Sequence, residues 1–386
     1  MSKLNLRTKV RNAGSSVRLS GRLIGKLQKE DGTETRQELI TKRYTAYKYA
    51  KRMMILVVLA MALIMLGVDV GLGPYQIDFV TVYQQIFDRL ADWGYYNNDN
   101  MSVDMRVVWN LRLPRVLAAL IAGFGLAVAG SAMQSMMKNP LADPYTTGIS
   151  SGAALGATMA MTMGIYILPG EYGVVFNAFV GALIPAAFII ALSTLRKPSP
   201  AMMILSGISL MYIFNAIQSY LMLVADPNAA SAVYAWTVGS ITSITWSKIP
   251  FLAAVTILGS IALMFLARVL NTMNSGDSYA KSIGININHA RIIVLTLVSL
   301  IAAGIVSFTG IIGFIGLVGP HIARMFVGSD NKILIPAAGL MGACIMLLSD
   351  CVVQEVNANM PIGIITSILG GPVFMFLILR QKKEIW

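Results

Sequence analysis

Charge is what this sequence has least of. Asp, Glu, Lys and Arg make up 12% of its 386 residues, about half of the roughly 25% usual in a globular domain. Histidine and cysteine occur twice each. Cys344 and Cys351 stand on one face of one apolar run, too far apart for a disulfide and without metal-ligand spacing. They read as small packing residues, and the redox compartment is left open. Ionisable groups are nearly absent from the apolar runs. Asp69 and Asp350 lie near one set of ends, and His321 and Arg324 near the other. No Asp/Glu/His chain crosses an apolar layer, which argues against a proton- or sodium-driven transporter. No His/Asp/Glu cluster has metal spacing, and His289 and His321 find no nucleophile or acid partner, so a membrane enzyme or metalloprotease is disfavoured as well.

What the sequence has instead is apolar surface. Hydrophobic residues make up 56% and mean hydropathy is +0.68, more than a compact soluble core needs. The length allows about ten spans of about 20 residues. Continuous apolar runs without two-residue alternation select helices. The fold class expected is therefore an all-α integral membrane protein with spans at 53–73, 113–137, 146–168, 174–195, 201–225, 248–270, 291–309, 311–327, 333–353 and 361–379. The eighth is short for a crossing and reads as tilted or partly re-entrant. Residues 231–246 are too polar for a span and read as an interfacial segment with Trp236 and Trp246 at head-group depth.

Glycine is abundant, with 34 residues. Gly148, Gly152 and Gly156 form a ridge on the third span, and Gly310, Gly313, Gly316 and Gly319 recur around the eighth, so close helix packing is expected. A weak echo at a spacing of 180 residues pairs Leu120-Ile121-Ala122 with Leu300-Ile301-Ala302, Gly130 with Gly310, Pro140 with Pro320 and Gly148 with Gly328. Five spans apart, this suggests an inverted repeat.

The net charge of +12 is uneven: residues 1–52 hold 14 Lys/Arg against Glu30, Asp31, Glu34 and Glu38. No apolar region with a cleavage site precedes residue 52, so a cleaved signal peptide is not expected. The segment reads as a basic cytoplasmic tail touching anionic membrane lipids. Without aromatic interleaving or a known module, it does not read as a nucleic-acid-binding arm. With both termini cytoplasmic, 25 of the 30 basic residues fall inside, and Arg89, Arg106, Arg112, Arg115 and Lys248 fall outside. That asymmetry orients the chain and requires an even span number. The domains expected are the tail 1–52, a ten-span membrane domain 53–380 and a cytoplasmic C-terminus 381–386.

Two uncharged polar stripes stand out. One holds Ser131, Gln134, Ser135 and Lys138. The other holds Tyr212, Asn215, Gln218 or Ser219, and Met222. Such faces suit a large hydrated solute, although hydrogen bonds within the bundle explain any single residue as well. The inside loop 271–290 holds Gly276 to Ser282, a superficial phosphate-loop pattern that fails on spacing and on the missing strand. The chain is therefore not expected to bind ATP. The loop also has the signals of a short docking helix, with Asp277 or Ser278 as cap and Gly284 as stop.

Several stretches together resemble the iron-siderophore and cobalamin permease family of ABC importers, the FecCD/BtuC-like permeases. They are L-R-L-P-R (111–115) running into A-G-F-G-L-A-V-A-G-S-A-M-Q (122–134), K-N-P-L-A-D-P (138–144) and G-I-S-S-G-A-A-L-G-A (148–157). Next come Y-A-W-T-V-G-S-I-T-S-I-T-W (234–246) and S-G-D-S-Y-A-K-S-I-G-I (275–285). Last are G-I-I-G-F-I-G-L-V-G-P-H-I-A-R (310–324), G-S-D-N-K (328–332), S-D (349–350) and M-P-I-G-I-I-T-S-I-L-G-G-P-V-F (360–374). In order and spacing they cover nearly all of 53–380.

The resemblance implies a type II ABC importer permease fold in the cytoplasmic membrane, with no enzymatic activity and no cofactor of its own. ATP-Mg would be bound and hydrolysed by a partner ATPase dimer, and an extracytoplasmic substrate-binding protein would deliver the cargo. A second permease copy would complete the pathway, a homodimer being favoured over a heterodimer. The ATPase-coupling loop would hold Asp277, Ser278, Ala280, Ser282 and Gly284. The fifth span would line the pathway with Tyr212, Asn215, Ser219 and Met222, joined by Gln134, above a gate at Ser199, Pro200 and Ala201. Binding-protein docking would use Arg112 and the position after the S-D element, where the family typically carries Arg and this chain has Gln354 beside Glu355. That departure makes docking one-sided or the partner permease a different chain. The cargo implied is a metal chelate, ferric siderophore first, with haem, cobalamin or an oxyanion (molybdate or tungstate) as alternatives.

Overall fold

The computed structural model describes residues 36–91, 101–195 and 199–380. The tail up to residue 35, Arg196 and Lys197, and the segment 381–386 lie outside the described residues. The chain divides into two units, Met1–Arg52 and Met53–Trp386. Among the described residues there are helices and turns and no strand.

The helices are α1 (Arg36–Gly71), α2 (Phe79–Ala91), α3 (Leu113–Met137), α4 (Ile149–Met163), α5 (Gly173–Leu195), α6 (Pro200–Val224) and α7 (Pro227–Thr237). They continue with α8 (Ile249–Phe265), α9 (Ala267–Asn274), α10 (Asp277–Ser282), α11 (Ile287–Thr309), α12 (Ile315–Val327), α13 (Asn331–Asn357) and α14 (Ile362–Arg380). Ten of them answer to the ten apolar runs. Among the described residues, six helical segments are long and apolar enough to cross a membrane: Tyr49–Gly71, Val103–Met137, Gly173–Ser193, Pro200–Val224, Ile287–Thr309 and Asn331–Asn357. The pair α8 and α9, bent by 53°, makes a seventh.

The central element is α3. It continues from a helical turn at Val103–Arg106 through a π-turn at Val107–Arg112. Pro114 explains the π-turn, since proline lacks an N–H and its ring clashes with the carbonyl four residues earlier. The widened turn brings Val108, Trp109 and Arg112 to buried positions. Beyond it, Ala118, Ala119, Ala122, Gly123, Ala127, Ala129 and Gly130 are all buried and small. Around this surface pack α8, α11, α12 and α13. The most apolar window of the α3 span is 78% buried, against 17% for α6, so α3 is the core of the bundle and α6 its open side.

Backbone-to-backbone contacts hold these helices. A Cβ on Gly123 would lie 2.5 Å from the Gly342 carbonyl oxygen of α13, and one on Gly130 would collide with the Gly316 carbonyl of α12. Gly152 and Gly156 do the same between α4 and α5, meeting the Gly181 and Asn177 carbonyls. The expected ridge is thus real, except that Gly148 is the N-cap of α4 at φ +87 and faces the Gly207 carbonyl of α6.

Three expectations need correction. First, the eighth run is helical only from Ile315, so Gly310 and Gly313 precede the helix. Its 13 residues span about 20 Å, short of the roughly 30 Å hydrocarbon layer. Irregular backbone at this depth must find partners within the protein. Ser240 N donates to the Thr309 carbonyl (2.7 Å) and Gly363 N to the Gly239 carbonyl (3.1 Å). Phe314, a non-glycine at φ +68, is wedged against Gly370 of α14. Second, the segment 231–246 does not lie wholly at an interface. It supplies most of α7 and then folds in, burying Val233 and Ile241, while Trp246 stacks on Trp109 at 4.9 Å and donates to its carbonyl. Third, the sequence echo is matched only in part: residues 120–122 and 300–302 are both helix interior and Gly148 and Gly328 both cap helices at positive φ, but the other two pairs differ. Gly130 is helix interior whereas Gly310 ends α11, and Pro140 lies in a loop whereas Pro320 lies inside α12.

Gly152→Val should push α4 from α5 and lower stability by about 1–3 kcal/mol, read as thermal unfolding in detergent. Gly313→Ala is the control, because its new methyl meets nothing closer than Ser367 Oγ at 3.8 Å.

Candidate functional site

The residues singled out from sequence gather at the two ends of α3 and along α6. The helix α3 is 25 residues long, or about 37 Å at 1.5 Å per residue.

At the first end, α1, α3 and α13 are tied together by buried polar side chains. Arg112 Nη1 donates to the Val70 and Gly71 carbonyls (3.0 and 3.1 Å) and Nη2 to the Tyr75 carbonyl. These carbonyls lie at the end of α1, where the helix leaves acceptors unmet and favours a cation. Arg115 forms a forked pair with Asp350 of α13, Nη2–Oδ1 2.6 Å and Nε at 3.1 Å from both oxygens, and its Nη1 donates to the Ala358 carbonyl. Gln354 Nε2 donates to Asp69 Oδ1 (2.7 Å) and to its carbonyl (2.9 Å). Docking through the Arg112 guanidinium is thus not what this conformation offers, since Arg112 and Gln354 are both turned inward and satisfied. Glu355 alone of the three is exposed. Sequence reasoning missed Arg115 and Asp350 as partners because they are 235 residues apart.

At the other end, α3 stops at Lys138, which takes a left-handed φ of 50. Lys138 Nζ donates to Asp277 Oδ1 (2.7 Å) and Arg291 Nη2 to Asp277 Oδ2 (2.8 Å). Partial burial pulls the Asp277 carboxyl up, but the hydrogen bond from Lys138 and the charge of Arg291 outweigh it, so its pKa falls below the ordinary 3.8. Asp277 therefore does not cap α10 as expected, and Gly276 occupies that place at φ +123. Gly284 is the stop, left-handed at φ +88, with Ile285 N returning to the Ala280 carbonyl. Ala280 is buried, while Ser278, Tyr279, Lys281, Ser282, Ile283 and Gly284 are exposed. Lys138 and Arg291 entered the sequence reading only as a stripe member and a topology charge.

Along α6, Tyr212, Asn215 and Ser219 are exposed and Met222 is half-buried. Ser199 is the N-cap, accepting from Met202 N (3.2 Å), with Pro200 in the first turn and Ala201 exposed. Gln134 does not belong with this face. It is fully buried, accepts from Arg324 Nη2 (3.0 Å) and lies against the Leu317 carbonyl of α12. Ser135 and Ser131 of its stripe are likewise spent inside the bundle, on Asn331 and on the Val128 carbonyl, and Lys138 on Asp277. Beside α6 lies a cavity of about 380 Å³ that sequence reasoning did not locate. It is lined by Ile204, Ile208 and Met211 of α6, by Asp143, Tyr145 and Thr146 of the loop after α3, and by Phe314. Only the meeting of three distant segments creates it.

Two outcomes are expected. Arg115→Gln strands a buried carboxylate and should cost about 3–5 kcal/mol in detergent unfolding. Asp277 has a depressed folded pKa, so its contribution is complete above the unfolded value of 3.8 and is lost as pH falls through the lower folded value. Protection factors of the 277–283 amides should drop only under that acidic condition, whereas Asp277→Asn should lower them at neutral pH.

Residues 55–380 match the FecCD transport family. The hemin transport system permease protein HmuU of Yersinia pestis is 34% identical over 76% of this chain and 88% of its own. The Fe(3+)-citrate import system permease protein YfmE of Bacillus subtilis is 32% identical over 88% and 99%. A chain solved in an inward-facing conformation of a transporter assigned to the metal-chelate ABC type superposes with a TM-score of 0.75, at 29% identity, covering 86% of this chain and all of that one. The buried, glycine-packed bundle from Met53 onward thus carries a known architecture, and the chain belongs to the FecCD transport family of ABC importer permeases.

Proposed function

We propose that this chain is the membrane-embedded subunit of an importer that carries a ferric siderophore across the cytoplasmic membrane, powered by ATP hydrolysed on a separate ATPase dimer. The observation that carries this reading is α10. It is a short helix fixed at its base by Lys138 and Arg291, and it presents Tyr279, Ser282 and Ile283 outward. Such a projection suits the cleft of a soluble partner. The open α6 face supports a second copy of this chain as the other wall of the pathway. Glu355, near the Arg112 end, supports docking of a binding protein there, with Arg112 and Gln354 shaping that surface from beneath. N- and C-termini on the cytoplasmic side follow from the excess of basic residues at the α10 end.

Ferric siderophore is favoured by the relative named for Fe(3+)-citrate, and haem is the second reading, favoured by the relative named for hemin. Proteoliposomes holding the permease, its ATPase and its binding protein should be offered labelled ferric citrate, ferric hydroxamate, haemin and cobalamin. Uptake of a ferric siderophore that requires ATP and survives collapse of the proton gradient is expected. Uptake of haemin alone would establish the second reading, and uptake without the ATPase would refute ATP coupling. Tyr279→Asp should abolish uptake while leaving the permease folded.

A further inference from the structure

α10 has little of its own to hold it in place. Its six residues are far below the dozen or so a free helix needs. It is flanked by Gly276 and Gly284, both at positive φ, where an added Cβ would meet nothing within 4 Å. These are two swivels in open space. Only Ala280 of the helix is buried.

What stops the helix from pivoting is Asp277, gripped from two sides. Arg291 stands in the second turn of α11 with a side chain 6% exposed, and Lys138 is the residue on which α3 ends. The Lys138 grip leads further. The loop that follows, 139–148, turns back along the bundle to Asp143, Tyr145 and Thr146, which line the cavity beside α6. The same loop seats its backbone on α6, where a Cβ at Gly207 would lie 2.5 Å from the Thr146 carbonyl oxygen and 2.6 Å from Thr147 Cα. One run of chain thus begins at the ion pair with α10 and ends braced against the least buried span.

We propose that Lys138 and Arg291 are positioning residues that clamp α10 through Asp277, so that displacement of α10 is transmitted by the 138–148 loop to α6. The proposal rests on the reading of α10 as the ATPase-coupling element and adds to it how the signal leaves that element. Packing contacts alone do not require charge at position 138, whereas the clamp does.

The test compares charge-removing with charge-keeping variants in the full permease–ATPase complex in proteoliposomes. The readout is the fold by which the permease stimulates ATP hydrolysis over the isolated ATPase. The Lys138–Asp277 pair is part-exposed, with side chains 30% and 40% accessible, so its loss leaves the fold intact. Lys138→Gln and Arg291→Gln should cut the stimulation by about threefold or more, while Lys138→Arg and Arg291→Lys stay within about twofold of the native chain. Tyr279→Asp, on the exposed face, separates the two layers of the argument. If it leaves stimulation unchanged, α10 is not the coupling element and the function reading fails. If it abolishes stimulation while both Gln variants keep it, coupling stands and the clamp is wrong. If the Arg and Lys variants lose stimulation as fully as the Gln variants, shape rather than charge is responsible, and the clamp is again wrong.

Discussion

Gly123 of α3 and Gly342 of α13 face each other so closely that each backbone carbonyl fills the place of the other's missing side chain. Lipid tails are as apolar as leucine, so helices in a bilayer gain little from hiding apolar groups from water and much from dense contact. The small residues of α3 turn that rule into an architecture. Other helices reach it, α8, α9, α11, α12 and α13 among them, and the position of each then dictates where its polar residues fall. Because α13 lies against α3, Asp350 arrives beside Arg115 at one end and Asn331 beside Ser135 at the other. A larger residue at Gly123 or Gly342 would therefore disturb more than one contact.

The polar groups left inside follow a consistent economy. Arg112, Arg115, Asp69 and Asp350 are sequestered at one end of the bundle, and Arg324, Arg291 and Lys138 toward the other. Each makes hydrogen bonds to a side chain or carbonyl of a different element, or to Gln354 and Gln134. Buried charge without a partner is costly, and breaking a made pair more so. These groups thus act as end clamps on the spans rather than as a relay between the two sides.

Function is divided over the same scaffold. The buried core is α3 with α8, α11, α12 and α13, and two less buried regions lie at its margin. One is α10, held by ions and flanked by glycines. The other is α6, the least buried of the long apolar spans, with an open face and an adjoining cavity. The loop after α3 touches both.

Much of this was legible in order along the chain. Apolar runs locate ten helices because span length and hydropathy are local properties, and L-R-L-P-R, K-N-P-L-A-D-P and the loop at 275–285 mark the two ends of α3 and the short helix α10. Direction was not legible. Gln134 and Tyr212 look alike as polar residues on apolar helices, yet α12 covers one and the other is left 70% exposed. Arg112 reads as a surface charge, but a π-turn forced by Pro114 swings it onto the carbonyls of α1. Asp277 reads as a helix cap, but two cations from other elements claim it. Composition and patterning by themselves determined that the chain lives in a bilayer and spans it as helices. Which polar groups face one another across 139 or 235 residues, and which face is left open, was decided only by tertiary packing, because partnership depends on where helices meet and not on what each contains.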